Sequence, residues 1–188
     1  MPRGAPTVDS DAELAAFVRH GRMTGQPLPP AIGLLGGSLW RTLGGPGARG
    51  RLQSPDAMWF PIDVGRIDVD GGSHWFVAHC VARRGSQWSV AMNSDWWRGF
   101  QFGPKAHPND GLLDVYDADL SWSELLKVRR RARNGGHLPH PGVRERRVPE
   151  LVWEFDRPRR LWADDHRIGR KYKKVTLTIE PDALTIVV

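Results

Sequence analysis

The run Asn109-Asp110-Gly111 is the first place in this chain where residue type and spacing could do chemistry. Glycine permits a tight turn that brings a carboxylate and a nearby backbone carbonyl to one point. Hard cations such as Mg²⁺ bind oxygen ligands of this kind. The same run is also an ordinary turn sequence. The segment therefore predicts either a cation site or a structural turn.

A second polar group, Asp164-Asp165-His166, follows the short apolar run Leu161-Trp162-Ala163 near the C-terminus. A carboxylate or imidazole within hydrogen-bond reach of a substrate hydroxyl can act as a general base. Polar residues are equally common at the exposed tip of a hairpin. The segment predicts a hairpin and leaves both uses of its side chains open.

Two further features could bind a ligand. Gly36 and Gly37 precede the helix that starts at Ser38, so free backbone donors could hold an anion there, with a packing turn as the alternative. Trp96 and Trp97 are adjacent in a chain with nine tryptophans. Paired tryptophans can hold an acyl chain or meet a membrane interface, and they can equally fill a small core.

Seven histidines raise the question of zinc, and the nearest pair is His137 and His140. Zinc sites need three or four ligands, and no cysteine or histidine at regular spacing completes this pair. We therefore do not expect zinc. The chain also lacks a Gly-x-Ser-x-Gly nucleophile motif and a Walker loop.

The apolar pattern changes along the chain from a short mixed segment to a run of strands. Ser10 and Glu13 form a capping box ahead of a helix over 11–20, and a short strand and a second helix follow. The expected later strands are 58–69, 74–83, 87–93, 148–155, 160–163, 174–179 and 183–188, with a helix from Ser121 to about Arg133. We expect a mainly β (α+β) fold: a small α/β remnant over 1–50, then an antiparallel β-sandwich with one helix over 51–188.

Composition limits the location and the partners. The single cysteine, Cys80, fits a reducing compartment, and no signal-peptide or membrane-spanning run occurs, so we expect a cytoplasmic protein. Residues 1–120 carry a net charge of −1 and residues 121–188 a net charge of +7. The basic half could face an anionic membrane or serve only solubility. Nucleic acid is disfavoured because the arginines are scattered and no recognition motif accompanies them.

Four segments of this chain follow one another in an order that is similar to that in a known family. They are PKAHPNDGLLDV (104–115), GHLPHPGV (136–143), WADDHRIG (162–169) and VTLTIEPDALTIVV (175–188). Together they resemble the C-terminal half of the YegS/diacylglycerol kinase family of lipid kinases. The resemblance covers 31–188 and implies a β-sandwich that follows an α/β nucleotide domain. The family's Gly-Gly-Asp-Gly-Thr phosphate loop occurs nowhere in this sequence.

The resemblance also implies roles for individual residues. Asp164 takes the position of the carboxylate that accepts the substrate hydroxyl proton, while Asp165 and His166 replace the family's Gly and Glu. Asp110 and the carbonyl of Leu112 match a structural magnesium site.

The remaining matched positions concern the nucleotide and the substrate. Gly36, Gly37 and Arg41 fall in the segment that serves the nucleotide, although its Asn-Asp pair is not matched. Asn93 and Pro104, with Trp96-Trp97 between them, match the stretch that lines the substrate cleft.

We therefore expect a lipid-kinase-like protein that retains the lipid-acceptor domain and is degenerate or inactive alone. The missing phosphate loop predicts weak or absent ATP binding, because phosphoryl transfer depends on holding and neutralising the phosphates. Activity would need a partner chain with an ATP-binding half. The alternative is a non-catalytic module that binds a lipid or another amphiphile, peripherally at the membrane, or regulates a partner.

Overall fold

A computed structural model describes residues 1–2, 4–45, 49–134, 136 and 138–188. Its strands are β1 (Thr7–Val8), β2 (Ile32–Leu34), β3 (Trp59–Val69), β4 (Gly72–Phe76), β5 (His79–Arg84), β6 (Gln87–Met92), β7 (Trp96–Trp97), β8 (Phe100–Gln101), β9 (Leu113–Asp119), β10 (Val143–Val148), β11 (Glu150–Ala163) and β12 (His166–Val187). Its helices are α1 (Asp11–Thr24), α2 (Ser38–Thr42) and α3 (Trp122–Arg131), with 3₁₀ turns at Arg49–Gln53 and Ala132–Asn134.

One large sheet organises these strands in the order β1-β2-β12-β11-β5-β6-β9-β10, and β3 pairs with both β12 and β4. The pairings from β3 onward are antiparallel, whereas β1, β2 and the end of β12 run parallel. The predicted mainly β fold with few helices is confirmed. The N-terminal segment joins the sheet through β12.

Helix α1 begins where the capping box predicts and ends later than expected. Ser10 Oγ accepts the Glu13 N–H at 3.2 Å, and the Glu13 carboxylate accepts the Asp9 N–H at 2.9 Å. Gly21, the expected stop, is buried inside the helix, where a Cβ would press on Leu28. The helix ends instead at Gly25, whose φ of 69° is the left-handed conformation that glycine adopts easily.

Several predicted strand boundaries were wrong. The strands expected at 148–155 and 160–163 form the single strand β11, and those at 174–179 and 183–188 form β12. In both cases the strand continues across an irregularity in its pairing instead of ending in a turn. The strand expected at 74–83 splits at Val77 and Ala78, whose N–H groups bond to a side chain instead of a neighbouring strand. Strands β1, β7, β8, β9 and β10 were missed.

The sheet formed by β5, β6 and β9 buries both of its faces. Along β5, Cys80 lies in the main core while Val81 packs on the opposite face, and Ala91 and Val90 alternate in the same way on β6. Helix α3 and the β7–β8 hairpin lie over this second face. The layer between them and the sheet contains the larger of the two cavities described below.

None of the helices in the described ranges combines the length and the apolarity needed to span a bilayer.

Candidate functional site

The turn between β11 and β12 consists of Asp164 and Asp165. Their φ angles are 44° and 63°, so both adopt the left-handed conformation that two-residue hairpin turns require. Aspartate tolerates this conformation better than most residues, which explains how the turn forms without glycine. Ala163 and His166 pair across the turn and close the hairpin.

The Asp164 carboxylate is fully buried and fastens this hairpin to the β4–β5 connection. It accepts three backbone hydrogen bonds, from Val77 at 2.8 Å and from Ala78 and His79 at 2.9 Å each. The Asp164 N–H donates to the His79 carbonyl at 3.0 Å. Burial raises the pKa of Asp164 to about 7, against the opposing effects of His79 and the backbone donors.

His79 is buried between the two aspartates of the turn. Its Nδ1 lies 3.9 Å from Asp164 Oδ1, and its Nε2 lies 3.6 Å from Asp165 Oδ1. Both separations exceed a hydrogen bond, and neither ring nitrogen has a hydrogen-bond partner among the described residues. The hydrogen-bonding capacity of both imidazole nitrogens is therefore unused by the described residues.

Asp165 is half-exposed and connects the turn to the β7–β8 hairpin. Its Oδ1 accepts from Trp97 Nε1 at 3.2 Å and from Arg98 Nε at 3.0 Å. The His79 imidazole, together with Trp97 and Arg98, holds the pKa of Asp165 well below its usual range. Asp165 is therefore a fixed negative charge beside His79.

Asp11, at the start of α1, occupies the first two backbone donors of α2. Its carboxylate accepts the N–H groups of Ser38 at 2.6 Å and Leu39 at 3.1 Å. Gly37 adopts a φ of 104°, and a Cβ there would overlap the Asp11 carboxylate. Burial raises the pKa of Asp11, opposed by these two hydrogen bonds. The donors expected to hold an external anion are thus bonded to a side chain of the same protein.

These groups surround a cavity of about 330 Å³, which we call the acidic cleft. Arg41 and Arg98 stand at its sides, and the Arg41 guanidinium lies 4.9 Å from the centre of the Trp96 ring. The lining residues that matter below are Asp11, Arg41, His79, Arg98, Asp164 and Asp165.

A second cavity, of about 430 Å³, lies between α3 and the outer face of the sheet. We call it the aromatic pocket. Its wall is mostly apolar and includes Trp88, Trp97, Phe102, Tyr116, Leu125 and Val128. A cavity of this size and lining suits an aliphatic or aromatic group.

Two hydrogen-bonding atoms in residues of the aromatic pocket are buried without a partner in the described part of the chain. They are the Tyr116 hydroxyl and Trp88 Nε1. Burial raises the pKa of Tyr116, so its hydroxyl remains a donor. Unpaired buried donors are costly, because burial removes the hydrogen bonds that water would supply.

Trp97 joins the two cavities. Its ring packs edge-on against Phe102 at 5.3 Å and Trp88 at 6.1 Å in the aromatic pocket, and lies 5.4 Å from the His79 ring. Its indole N–H bonds Asp165 on the other side. The acidic cleft and the aromatic pocket are therefore adjacent parts of one site.

Residues 57–188 match the model of the family described as the YegS C-terminal NAD kinase β-sandwich-like domain. The chain belongs to this family. No curated protein matches it significantly.

Solved structures of similar fold come from Bacillus anthracis str. Sterne. Two are described provisionally as diacylglycerol kinases. The first is 12% identical to this chain with a TM-score of 0.68, and the aligned region covers 91% of this chain and 73% of the other. The second is 11% identical with a TM-score of 0.70, and the aligned region covers 96% of this chain and 76% of the other. A third, described as a diacylglycerol kinase, is 12% identical with a TM-score of 0.61 and covers 85% and 67%. At these identities the likeness establishes a diacylglycerol-kinase-like fold.

In this member of the YegS C-terminal family, the turn expected to bind magnesium is held by other contacts. Asp110 pairs with the Arg147 guanidinium and accepts the Leu112 N–H at 3.0 Å. Arg147 Nε also lies 3.2 Å from Asp114, whose pKa burial raises to about 6. The described residues contain no cluster of three or more metal-binding side chains. A positive charge already beside Asp110 favours the structural turn of the two predicted alternatives.

The other predicted site residues divide between the cleft and the scaffold. Gly37, Arg41 and Trp96 line the acidic cleft, and Trp97 lines the aromatic pocket. Asn93 is buried in the scaffold, and its side-chain N–H₂ donates to the Asp63 and Val77 carbonyls at 2.9 Å each.

Three more predicted residues lie, like Asn93, outside both linings. Gly36 packs against the Asp9 carbonyl, Pro104 is exposed after β8, and His166 is exposed beyond the turn. Of the histidine pair considered for zinc, His137 lies outside the described residues.

Sequence reasoning missed His79, Asp11 and Arg98, as well as the unpaired donors of Trp88 and Tyr116. His79 stands in the apolar run around Cys80, where a polar residue among buried ones is itself a signal. Asp11 follows the N-cap of α1, a position that predicts only helix capping.

Proposed function

We propose that this protein binds a hydroxyl-bearing amphiphile of the diacylglycerol type, with its acyl chain in the aromatic pocket and its headgroup in the acidic cleft. The observation that carries the proposal is Trp97, whose ring lies in the pocket while its N–H reaches Asp165 in the cleft. An apolar cavity and a polar cleft that both have Arg98 in their linings, and that the Trp97–Asp165 hydrogen bond connects, match the two ends of such a lipid.

The pocket residues support an ester lipid in particular. The surrounding wall is apolar, so an acyl chain gains by leaving water. Tyr116 and Trp88 carry unpaired donors that are buried in this structure, and a small side-chain shift on binding would bring them to ester carbonyl oxygens. A plain hydrocarbon would leave both donors unsatisfied.

In the cleft we assign His79, rather than Asp164, as the group that contacts the headgroup hydroxyl. All three strong contacts of the Asp164 carboxylate are with the backbone, whereas both His79 nitrogens are unused. Imidazole is also the side chain best suited to take up a hydroxyl proton near neutral pH. Asp164 then positions His79 through its backbone.

The contacts of the segment that the resemblance assigns to the nucleotide support an acceptor domain that is inactive alone. The first two backbone donors of α2, which the resemblance assigns to the nucleotide, bond Asp11 instead. A carboxylate at that place also repels phosphate oxygens. Phosphorylation of the bound lipid would require a partner chain that supplies an ATP-binding half. The occupation of these donors by Asp11 also favours a second candidate function, a non-catalytic lipid-binding regulator.

The test is a binding titration of the full chain with short-chain dioctanoylglycerol, followed by tryptophan fluorescence. Ala118 lines the aromatic pocket, and Ala118→Phe should fill the space and weaken binding at least about tenfold. Ala183→Phe adds the same bulk at a distant, partly buried site and should leave the affinity unchanged. Equal affinities for both variants and the wild type would rule out this pocket.

A further inference from the structure

Helix α3 forms the outer wall of the aromatic pocket and carries a basic, partly apolar outer surface. Leu125 and Val128 face the pocket, and Val128 is buried. Leu126, also at the pocket, is 67% exposed. Lys127, Arg130 and Arg131 are all exposed.

The spacing of these residues makes the outer surface of α3 mainly basic. Leu126 and Arg130 are four residues apart, as are Lys127 and Arg131, so they lie side by side on neighbouring stripes of the helix. The acidic residue of the helix, Glu124, is occupied at the N-terminus, where it bonds Ser121. The exposed surface is therefore positive, with a leucine at its edge beside the pocket.

We propose that α3 is the surface through which this protein docks on an anionic lipid bilayer. Lys127, Arg130 and Arg131 contact the lipid phosphates, and Leu126 enters the interface above them. This inference rests on the proposed function, because it places the bilayer at the wall of the pocket that receives the lipid. An exposed leucine among cations suits a bilayer better than a purely polyanionic partner such as nucleic acid.

The docking surface differs from the tryptophan pair expected from the sequence. Trp97 is buried, and Trp96 is half-buried against Arg41 in the acidic cleft. Neither side chain presents a free face to a membrane. The helix above them does.

The test is flotation of the full chain with phosphatidylcholine vesicles, with and without phosphatidylglycerol, at low and high salt. Wild type should float only with the anionic vesicles and lose binding as salt rises. Lys127→Glu/Arg130→Glu should lower the partition coefficient about tenfold or more. Leu126→Gln should give a smaller loss that persists across salt concentrations.

The matched control reverses two exposed charges elsewhere, Arg19→Glu on α1 and Lys173→Glu on β12. It should keep most of the binding. An equal loss in both double variants would mean attraction by net charge alone and overturn the proposal, as would tighter binding to duplex DNA than to vesicles at the same salt.

Soluble dioctanoylglycerol separates this inference from the proposed function. A chain that binds the soluble lipid but never floats would refute docking by α3 and leave the pocket in place. A chain that floats through α3 but does not bind the soluble lipid would refute the pocket and leave the docking surface.

Discussion

The acidic cleft and the aromatic pocket differ in how their polar groups are satisfied. In the cleft, Asp164 and Asp11 accept five backbone N–H groups of the same chain, and among the described lining residues His79 alone has buried polar atoms without a partner. In the pocket, the donors of Tyr116 and Trp88 have no partner among the described residues. The carboxylates therefore act as internal supports, whereas the unpaired atoms mark where a ligand would bind.

The largest expected effect is the loss of the Asp164 carboxylate. Asp164→Ala leaves three buried backbone donors unsatisfied and should lower the free energy of unfolding by about 3 kcal/mol or more, measured by urea denaturation. Asp165→Ala, at the half-exposed neighbour, should cost less than about 1 kcal/mol. Similar losses in the two variants would mean that Asp164 is not the support of the cleft.

A smaller loss is expected at the Asp110 turn. Asp110→Ala removes the Arg147 pair and the bond from the Leu112 N–H, and should lower the free energy of unfolding by about 1–2 kcal/mol. Glu145→Ala, which breaks a Lys105 pair without a backbone bond, should cost less. Because Arg147 already neutralises Asp110, a chelator should leave the wild-type Tm unchanged, and a chelator-induced drop absent from Asp110→Ala would restore the magnesium site.

The pH dependence of stability should show the buried carboxylates directly. Burial raises the pKa values of Asp164 to about 7 and Asp114 to about 6, so the folded protein binds these protons more tightly than the unfolded chain. Their contribution to the free energy of unfolding is complete below about pH 4 and is lost as pH rises through those values. Asp165, with its lowered pKa, changes stability only at more acidic pH.

Urea denaturation from pH 4 to pH 7 would measure this loss. Asp114→Asn should flatten the decline between pH 4 and pH 6, because it removes one of the buried carboxyl groups whose pKa is raised. A decline of identical slope in the variant would show that Asp114 does not hold its proton in the folded protein.

The smallest expected effect is a null result with ATP. Asp11 occupies the Ser38 and Leu39 donors, so calorimetric titration with ATP and magnesium should detect weak binding or none. Asp11→Ser removes the charge and is the variant in which any residual affinity should increase. A dissociation constant in the low micromolar range for wild type would contradict the account of the cleft.

The sequence predicted the fold class well because the alternation of apolar residues reports sheet faces directly. It could not predict that Val77 and Ala78 leave the strand, since their partner, the Asp164 carboxylate, is distant in sequence. The same limit applies to the site: Trp97 and Asp165 were both noted, but only the folded sheet brings them together. His79 was hidden because burial and an unused imidazole are properties of the packed structure.

The most direct test compares dioctanoylglycerol with its 3-O-methyl ether in calorimetric titrations of wild type and His79→Phe. If the headgroup hydroxyl contacts His79, wild type should bind the free hydroxyl at least about fivefold more tightly than the ether, consistent with about 1 kcal/mol for one hydrogen bond. His79→Phe should bind both lipids alike. Equal binding of the two lipids by wild type, or no binding of either, would contradict the account.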